Sequence, residues 1–338
     1  MRAAEGIAGL GQGLHSAVRE IVLEALSRGA GATLPTNAHF KSTRNIAAGT
    51  MQRALDLLQD RGALAIVSRG HLGRVIESLD VGQCWQAAGL PPVRLLLPPR
   101  GPIEIDVLDN RLAEDLTRLG IPHTVHHRPG GARRVDAVMT GEHDLAVVSA
   151  GAFDGTIDSA HRADEGHRAG PSSGAEAGAS VLSRRLESGT YYAEGRLVVV
   201  RLAGSDPVGP LRVAIDRGSP DHVVLTDAEF PVDAGHTYVD TPFPSVPAQV
   251  LRNAVDVGIW HVTRSIIPLD LAGLATDALS TEAAKAAWSE LSGAVLIGSP
   301  SRPELRSVMA ELRLDDLADV QQDALRRGAD DSFDPAGG

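Results

Sequence analysis

Between Val93 and Gly151 the chain runs three times from a short strand-forming segment through a proline or glycine break into a helical or turn segment. The first segment, VRLLLPP (93–99), is apolar without alternation, as a strand covered on both faces requires. In the following IEIDVLDNRLAEDLTRLGI, residues Ile105, Leu108, Leu112 and Leu116 fall on one helical face. PHTVHHRPGG then gives a second strand, and ARRVDAVMTGEHDLAVVSAGAF gives a helix, a turn at Gly141 and a third strand, Leu145–Ser149. This β-α-β-α-β order predicts a parallel sheet with right-handed crossovers, and it places ligands at the carboxyl ends of the strands. Those ends carry Pro99-Arg100-Gly101, Pro129-Gly130-Gly131 and Ser149-Ala150-Gly151.

A chain of 338 residues is too long for one ordinary compact domain, and its first 79 residues are patterned differently. HSAVREIVLEAL places Val18, Ile21, Val22, Ala25 and Leu26 on one face and stops at Gly29 and Gly31. Thr36 and Asn37 offer caps for a short helix, NAHFKST, and RNIAAG leads into a further helix over 50–60. In that helix Met51, Ala54, Leu55, Leu57 and Leu58 face inward, while Ala48, Gly49, Thr50, Gln52 and Arg53 face out. Leu64–Ser68 and Arg74–Glu77 read as two strands, with Gly70 and Gly73 in the turn between them. Three helices followed by a β-hairpin is the winged helix-turn-helix order.

The stretch LPTNAHFKSTRNIAAGTMQRALDLLQDRGALAIVSRGHLGRVI resembles the DNA-binding domain of GntR-type transcriptional regulators over roughly residues 14–78. Thr50, Met51, Ala54-Leu55, Leu57-Leu58, Gly62 and the glycines Gly70 and Gly73 occupy that family's pattern positions. Ala47 and Ala48 stand where the family commonly has Ser-Arg, and Gln52 stands where arginine is common. Arginine is the usual bidentate reader of guanine, whereas glutamine suits adenine. The resemblance implies double-stranded operator DNA as partner. Thr50, Gln52 and Arg53 are its base-facing candidates, with Lys41, Arg44, Arg69, His71 and Arg74 as phosphate or wing contacts. Charge agrees mildly: residues 1–77 hold nine Lys or Arg against six Asp or Glu, in a chain of net charge −11.

RRVDAVMTGEHDLAVVS and SGTYYAEGRLVVV resemble the first lobe of type 2 periplasmic-binding-protein-like domains. LRVAIDRGSPDHVVLT and PAQVLRNAVDVGIWH resemble the second lobe, and IIPLDL the return to the first. Together with the GntR-like head and the closing GAVLIGSPSRPELRSVMAEL, the chain resembles YhfZ-type regulators. The fold class expected is therefore multidomain: an N-terminal winged helix-turn-helix (α+β) plus a two-lobed α/β periplasmic-binding-protein-like domain. The head is expected over 1–79, a linker over 80–92 and the effector domain over 93–330. Within it, lobe 1 takes 93–207 and 264–330, and lobe 2 takes 208–263. Residues 154–180 read as a surface insertion and 331–338 as a frayed acidic tail. Trp85 is expected to pack at the domain junction, with Cys84 a small core residue beside it.

Ser219, ahead of Pro220 and Asp221, reads as a helix N-cap, and a helix start with unpaired donors favours a carboxylate or phosphate. In the resembled domains the cleft lies between the lobes and uses such helix starts. Arg100, Ser149, Ser219, Trp260 and His261 are accordingly the effector-binding candidates, for a small, anionic metabolite, with a homodimer as the working state.

No catalytic residue, cofactor or metal is expected. There is no P-loop, no GxGxxG after a strand and no HExxH, and GSPDH lacks the strained elbow of a serine nucleophile. Strand alternation puts only two of His123, His126 and His127 on one face. No apolar run reaches the roughly 18–20 residues of a membrane span, and the N-terminus lacks a continuous apolar signal segment, so a cytoplasmic chain is expected.

Overall fold

Helix α1 (Gln12–Arg28) buries Ala17, Val18, Ile21, Val22, Ala25 and Leu26, the stripe its periodicity foretold plus Ala17. The computed structural model describes residues 11–69, 73–156, 181–263 and 269–330. After β1 (Thr33–Leu34), helix α2 (Asn37–Arg44) is capped by the Thr36 hydroxyl, which accepts from His39 N at 3.2 Å. Helix α3 (Ala48–Asp60) turns Met51, Ala54, Leu55 and Leu58 onto α1. Strands β2 (Leu64–Ser68) and β3 (Arg74–Leu79) form the antiparallel hairpin, and β1 adds to β3, giving the order β1-β3-β2. Gly70 and His71 of the turn lie outside the described residues.

The linker expected over 80–92 is instead built around a packed helix, α4 (Val81–Ala87), capped by Asp80 and burying Cys84 and Trp85. Gly82 explains how close it lies to the body: a Cβ there would stand 1.9 Å from the carbonyl oxygen of Leu119.

The body holds two five-stranded sheets. In chain order its elements are β4 (Val93–Leu97), α5 (Ile103–Arg118), β5 (His123–His127), α6 (Gly131–Met139), β6 (Leu145–Ser149), helix α7 (150–156) and β7 (Leu182–Arg185). There follow β8 (Leu197–Leu202), β9 (Arg212–Ile215), α8 (Pro220–Glu229), β10 (Thr237–Asp240), α9 (Val246–Leu251), β11 (Val257–His261) and β12 (Leu274–Ala278). The chain closes with α10 (Glu282–Leu291), β13 (Ala294–Gly298), α11 (Leu305–Glu311) and α12 (Leu317–Asp330). The sheet orders are β5-β4-β6-β13-β7 and β10-β9-β11-β8-β12.

The two sheets repeat one plan. In each, three strands run parallel, a fourth is antiparallel beside them, and the fifth pairs antiparallel with the fourth. The parallel sheet expected from 93–151 is thus correct for β4, β5 and β6 but incomplete, because β13 enters antiparallel to β6. The lobe boundaries also move. β8 and β12, assigned from sequence to lobe 1, both belong to the second sheet, which spans 197–278. LVVV at the start of β8 is fully buried and needs a central place, which it finds between β11 and β12. β12 is an edge strand whose polar LATDA carries little strand signal. Part of the expected return IIPLDL, residues 266–268, lies outside the described residues. So do 157–180 of the expected insertion, whose first residues (154–156) are helical, and the tail 331–338.

The chain crosses between lobes at 186–196 and again at 279–293. The crossings are tied together: Tyr191 N and Tyr192 N donate to Ser292 O at 2.8 and 3.1 Å, and Trp288 Nε1 donates to Tyr192 O at 3.0 Å. The head docks on the connecting helix and on lobe 1, with α1 against α4 and α11. Ser307 Oγ donates to Leu26 O at 2.5 Å, and the Arg302 guanidinium lies 5.3 Å over the Trp85 ring. Among the described residues no helix is long and apolar enough to cross a membrane.

Candidate functional site

The carboxyl ends of β4, β5 and β6 face those of β9 and β11 across a cleft of ≈ 280 Å³. That is near the lower end of ordinary ligand pockets, roughly 300–1,000 Å³. Its walls are apolar and stiff: Pro98, Pro99 and Pro102 from the β4–α5 turn, Pro129 after β5, Pro220 and Pro244 from lobe 2, and the rings of Phe243 and Trp260. Proline at these turns fixes the backbone and leaves no N–H to be satisfied.

All five effector candidates read from sequence line this cleft. Arg100 sits at the rim with its side chain 63% exposed, paired with Asp109 at 2.6 Å and donating through Nε to His127 Nε2 at 3.1 Å. Ser149 Oγ accepts from Ala152 N at 3.2 Å and lies beside Asp221. Trp260 and His261, each 8% exposed, end β11. Ser219 stands at the N-cap position of α8, but its hydroxyl makes no capping bond, contrary to expectation. The Ser219 carbonyl accepts the ordinary first helical bond, from Val223 N at 3.1 Å.

The residues that sequence reasoning missed carry most of the charge. Arg134, on α6, lines the cleft at 2% exposure. Its Nε donates to Val147 O (2.8 Å), Nη1 to Arg128 O (2.7 Å) and Nη2 to the Tyr191 hydroxyl (2.6 Å). All three partners are uncharged, and among the described residues no carboxylate pairs with it. A guanidinium has five N–H groups and stays charged in proteins, so two donors are left over on a group that no carboxylate touches.

Asp221, in the first turn of α8, is 4% exposed. Oδ2 accepts from the Tyr192 hydroxyl at 2.9 Å, while Oδ1 has no hydrogen-bond partner. Burial pushes its carboxyl up, and the opposing effects of Ser149, Tyr192 and Arg134 do not restore the ordinary value. Gly151 lets this lobe 2 carboxyl approach lobe 1, since a Cβ there would lie 2.5 Å from Oδ1. The Tyr191 and Tyr192 rings that hold Arg134 and Asp221 meet edge to face, centroids 4.7 Å apart.

A second bridge between lobes joins His261 Nε2 to Glu104 Oε1 at 2.8 Å, and Ala193 N donates to the same oxygen at 3.0 Å. Burial raises the Glu104 carboxyl, but the bond and charge of His261 together with backbone hydrogen bonds, Ala193 N among them, outweigh it, so its pKa lies below the ordinary value.

On the head, Gln52, Arg53, Lys41, Arg44 and Arg69 are exposed, and Thr50 and Arg74 are half-buried. Arg74 brings three element starts together: Nη1 donates to Asn37 Oδ1 at 2.9 Å and Nη2 to Gln52 Oε1 at 3.1 Å. Gln52 also donates to Asp56 at 2.8 Å, Arg53 Nε to Gly49 O at 3.4 Å, and Arg44 pairs with Glu20 at 2.8 Å.

The profile of the YhfZ C-terminal domain matches residues 80–333. The chain belongs to the YhfZ family. It is 25% identical over 216 residues to the protein YhfZ of Escherichia coli (strain K12), covering 63% of this chain and 63% of that protein's length. The crystal structure of YhfZ from Shigella flexneri is similar at a TM-score of 0.51 and 20% identity, over 76% of this chain and 98% of that one. The alkanesulfonate-binding protein SsuA from Xanthomonas axonopodis pv. citri is similar at 0.46 and 17%, over 72% and 80%. The two-lobed α/β fold of this YhfZ-family chain is thus like that of YhfZ from Shigella flexneri.

One signal for Arg134 was available in sequence: it stands four residues before Val138 on the inward face of ARRVDAVM. For Asp221, Tyr191 and Tyr192 nothing local pointed to the cleft, because their meeting depends on the crossover between lobes.

Proposed function

We propose that this YhfZ-family chain is a ligand-responsive transcriptional regulator. Its head acts as a winged helix-turn-helix that reads double-stranded operator DNA, its cleft takes a small anionic metabolite, and it works as a homodimer. The observation that carries the effector half is Arg134. A buried cation that no carboxylate meets in direct contact is costly to keep, and a ligand anion entering the cleft would complete it. For the head, support comes from the three helices, the hairpin, and the exposed Gln52 and Arg53 at the start of α3. Catalysis has no part in this reading; the polar groups of the cleft hold one another or await a ligand.

The test is retardation of the double-stranded DNA upstream of its own gene, at low salt, with and without candidate metabolites. Arg53→Ala is expected to weaken binding by roughly 1–3 kcal/mol if it reads a base edge, and Lys41→Ala to reduce the salt slope by about one. Wild-type protein that retards no DNA at low salt would sink the regulator reading. A second reading, a cytoplasmic metabolite-binding protein whose head no longer binds DNA, draws on Ala47 and Ala48. It draws too on the bonds that already occupy Gln52 and Arg74. Unchanged DNA retention in Arg53→Ala and Arg74→Ala would favour it.

A further inference from the structure

We propose that the cleft selects a zwitterion of the α-amino acid class, its carboxylate seated at Arg134 and its ammonium at Asp221. This rests on reading the cleft as an effector site and adds the chemistry of the effector. The other charged groups that face the cleft already have ion-pair or backbone hydrogen-bond partners. Arg100 has Asp109, and His261 has Glu104. Asp216 accepts from Gly218 N at 2.9 Å and from Phe243 N at 2.8 Å. Arg134 and Asp221 remain, opposite in charge and each almost wholly buried.

These two do not pair with each other among the described residues. Each takes a tyrosine hydroxyl, Arg134 in addition to two backbone carbonyls and Asp221 with the Ser149 hydroxyl beside it, and the tyrosines are neighbours in sequence and in space. The cradle therefore offers spare guanidinium donors on one side and a bare carboxyl oxygen, Oδ1, on the other. A simple anion would satisfy Arg134 but bring negative charge beside Asp221 and leave Oδ1 unmet. A simple amine would do the reverse. Only a ligand carrying both groups close together satisfies both, and unmet buried polar groups are what make a site reject the analogue that lacks a partner. The uncapped start of α6 at Gly130-Gly131 adds backbone donors on the carboxylate side. Phe243 and Trp260 leave an apolar wall for the side chain.

The experiment titrates the full chain by calorimetry and thermal shift with the twenty common L-amino acids singly. Amine-free acids (3-phenylpropanoate, 4-methylpentanoate) and carboxyl-free amines (phenethylamine, isoamylamine) run beside them. At least one amino acid is expected to bind, about tenfold or more tighter than the acids and amines. In Asp221→Asn, close to isosteric with the aspartate side chain and so expected to fold, the preference for the amine-bearing ligand should collapse; Arg134→Lys should weaken amino acids and acids together. An amine-free acid that binds wild type as tightly as any amino acid overturns the zwitterion and leaves the anionic cleft standing. Undiminished discrimination in Asp221→Asn overturns the assignment to Asp221. Silence from amino acids and acids alike overturns both readings.

Discussion

Asp221 holds a proton more tightly in the folded chain than in the unfolded one, because burial penalises its charged form. Its folded pKa is raised, so its contribution is most favourable below the unfolded value, near 3.9, and declines as pH rises through the folded value. Asp221→Asn removes that decline. The variant is expected to melt at or above the wild-type temperature at neutral pH, with the difference vanishing below about pH 4, as thermal scans across pH would record. A variant less stable than wild type at neutral pH would show that the carboxyl is stabilised as an anion after all. Glu104 has the opposite sign: its depressed pKa gives stability that is present above the unfolded value and lost as pH falls through the folded one. Glu104→Gln is expected to cost about 1.5–3 kcal/mol in denaturant melts at neutral pH, from the weakened bridge to His261. Arg100, Ser149, Ser219, Trp260 and His261 were legible from sequence because strand ends and helix starts are fixed by local pattern. Arg134 and Asp221 were not, because a charged residue in a helix reads as solvated until the fold closes over it.

At the level of elements, legibility followed the locality of the signal. α1, α3, the hairpin and the β4-α5-β5-α6-β6 series carry their own periodicity and stand where it put them. β8, β12 and β13 were misplaced or left unpaired because their partners are chosen by chain crossings that leave no local trace. Residues 81–87 read as a connector because GLPP follows them, yet Val81, Cys84 and Trp85 are buried and the segment is rigid. Cys84 is inert there: its Sγ donates to Ala63 O at 3.1 Å, and burial followed by the charge of Asp80 pushes the thiol up to about 12. Gly82 tests this packing. With a Cβ 1.9 Å from the Leu119 carbonyl, Gly82→Ala must shift α4 away from the end of α5. The expected cost is about 1–3 kcal/mol, read from denaturant melts, with faster proteolysis between head and body. An alanine variant as stable and protease-resistant as wild type would mean that α4 is loosely held.

Across the molecule, the head packs on lobe 1, while lobe 2 is joined to lobe 1 through the crossings. Buried residues of the head and of lobe 1 belong to a single continuous cluster, which also reaches into lobe 2. The contact of α1 with α11 and the Ser307–Leu26 bond are of the head with lobe 1, and lobe 2 makes no comparably extensive contact with the head among the described residues. A ligand drawn between Arg134 of lobe 1 and Asp221 of lobe 2 can therefore change the angle between lobes, but it has little leverage on how the head sits on lobe 1. On the proposed reading, control of DNA affinity then passes through where lobe 2 is carried, and so through its contact with the proposed second copy. Distances between spin labels would test this, because the buried, high-pKa Cys84 leaves introduced cysteines as the reactive ones. Labels at Gln59→Cys on α3, Glu114→Cys on α5 and Asp227→Cys on α8 all stand at exposed positions. Pairs would be diluted into unlabelled protein to suppress distances between copies. On adding an amino acid that binds, the 59–114 distance is expected to stay fixed and the 59–227 distance to shift. A ligand-dependent change in the 59–114 distance would mean that the head pivots on lobe 1, and the route through lobe 2 would be wrong.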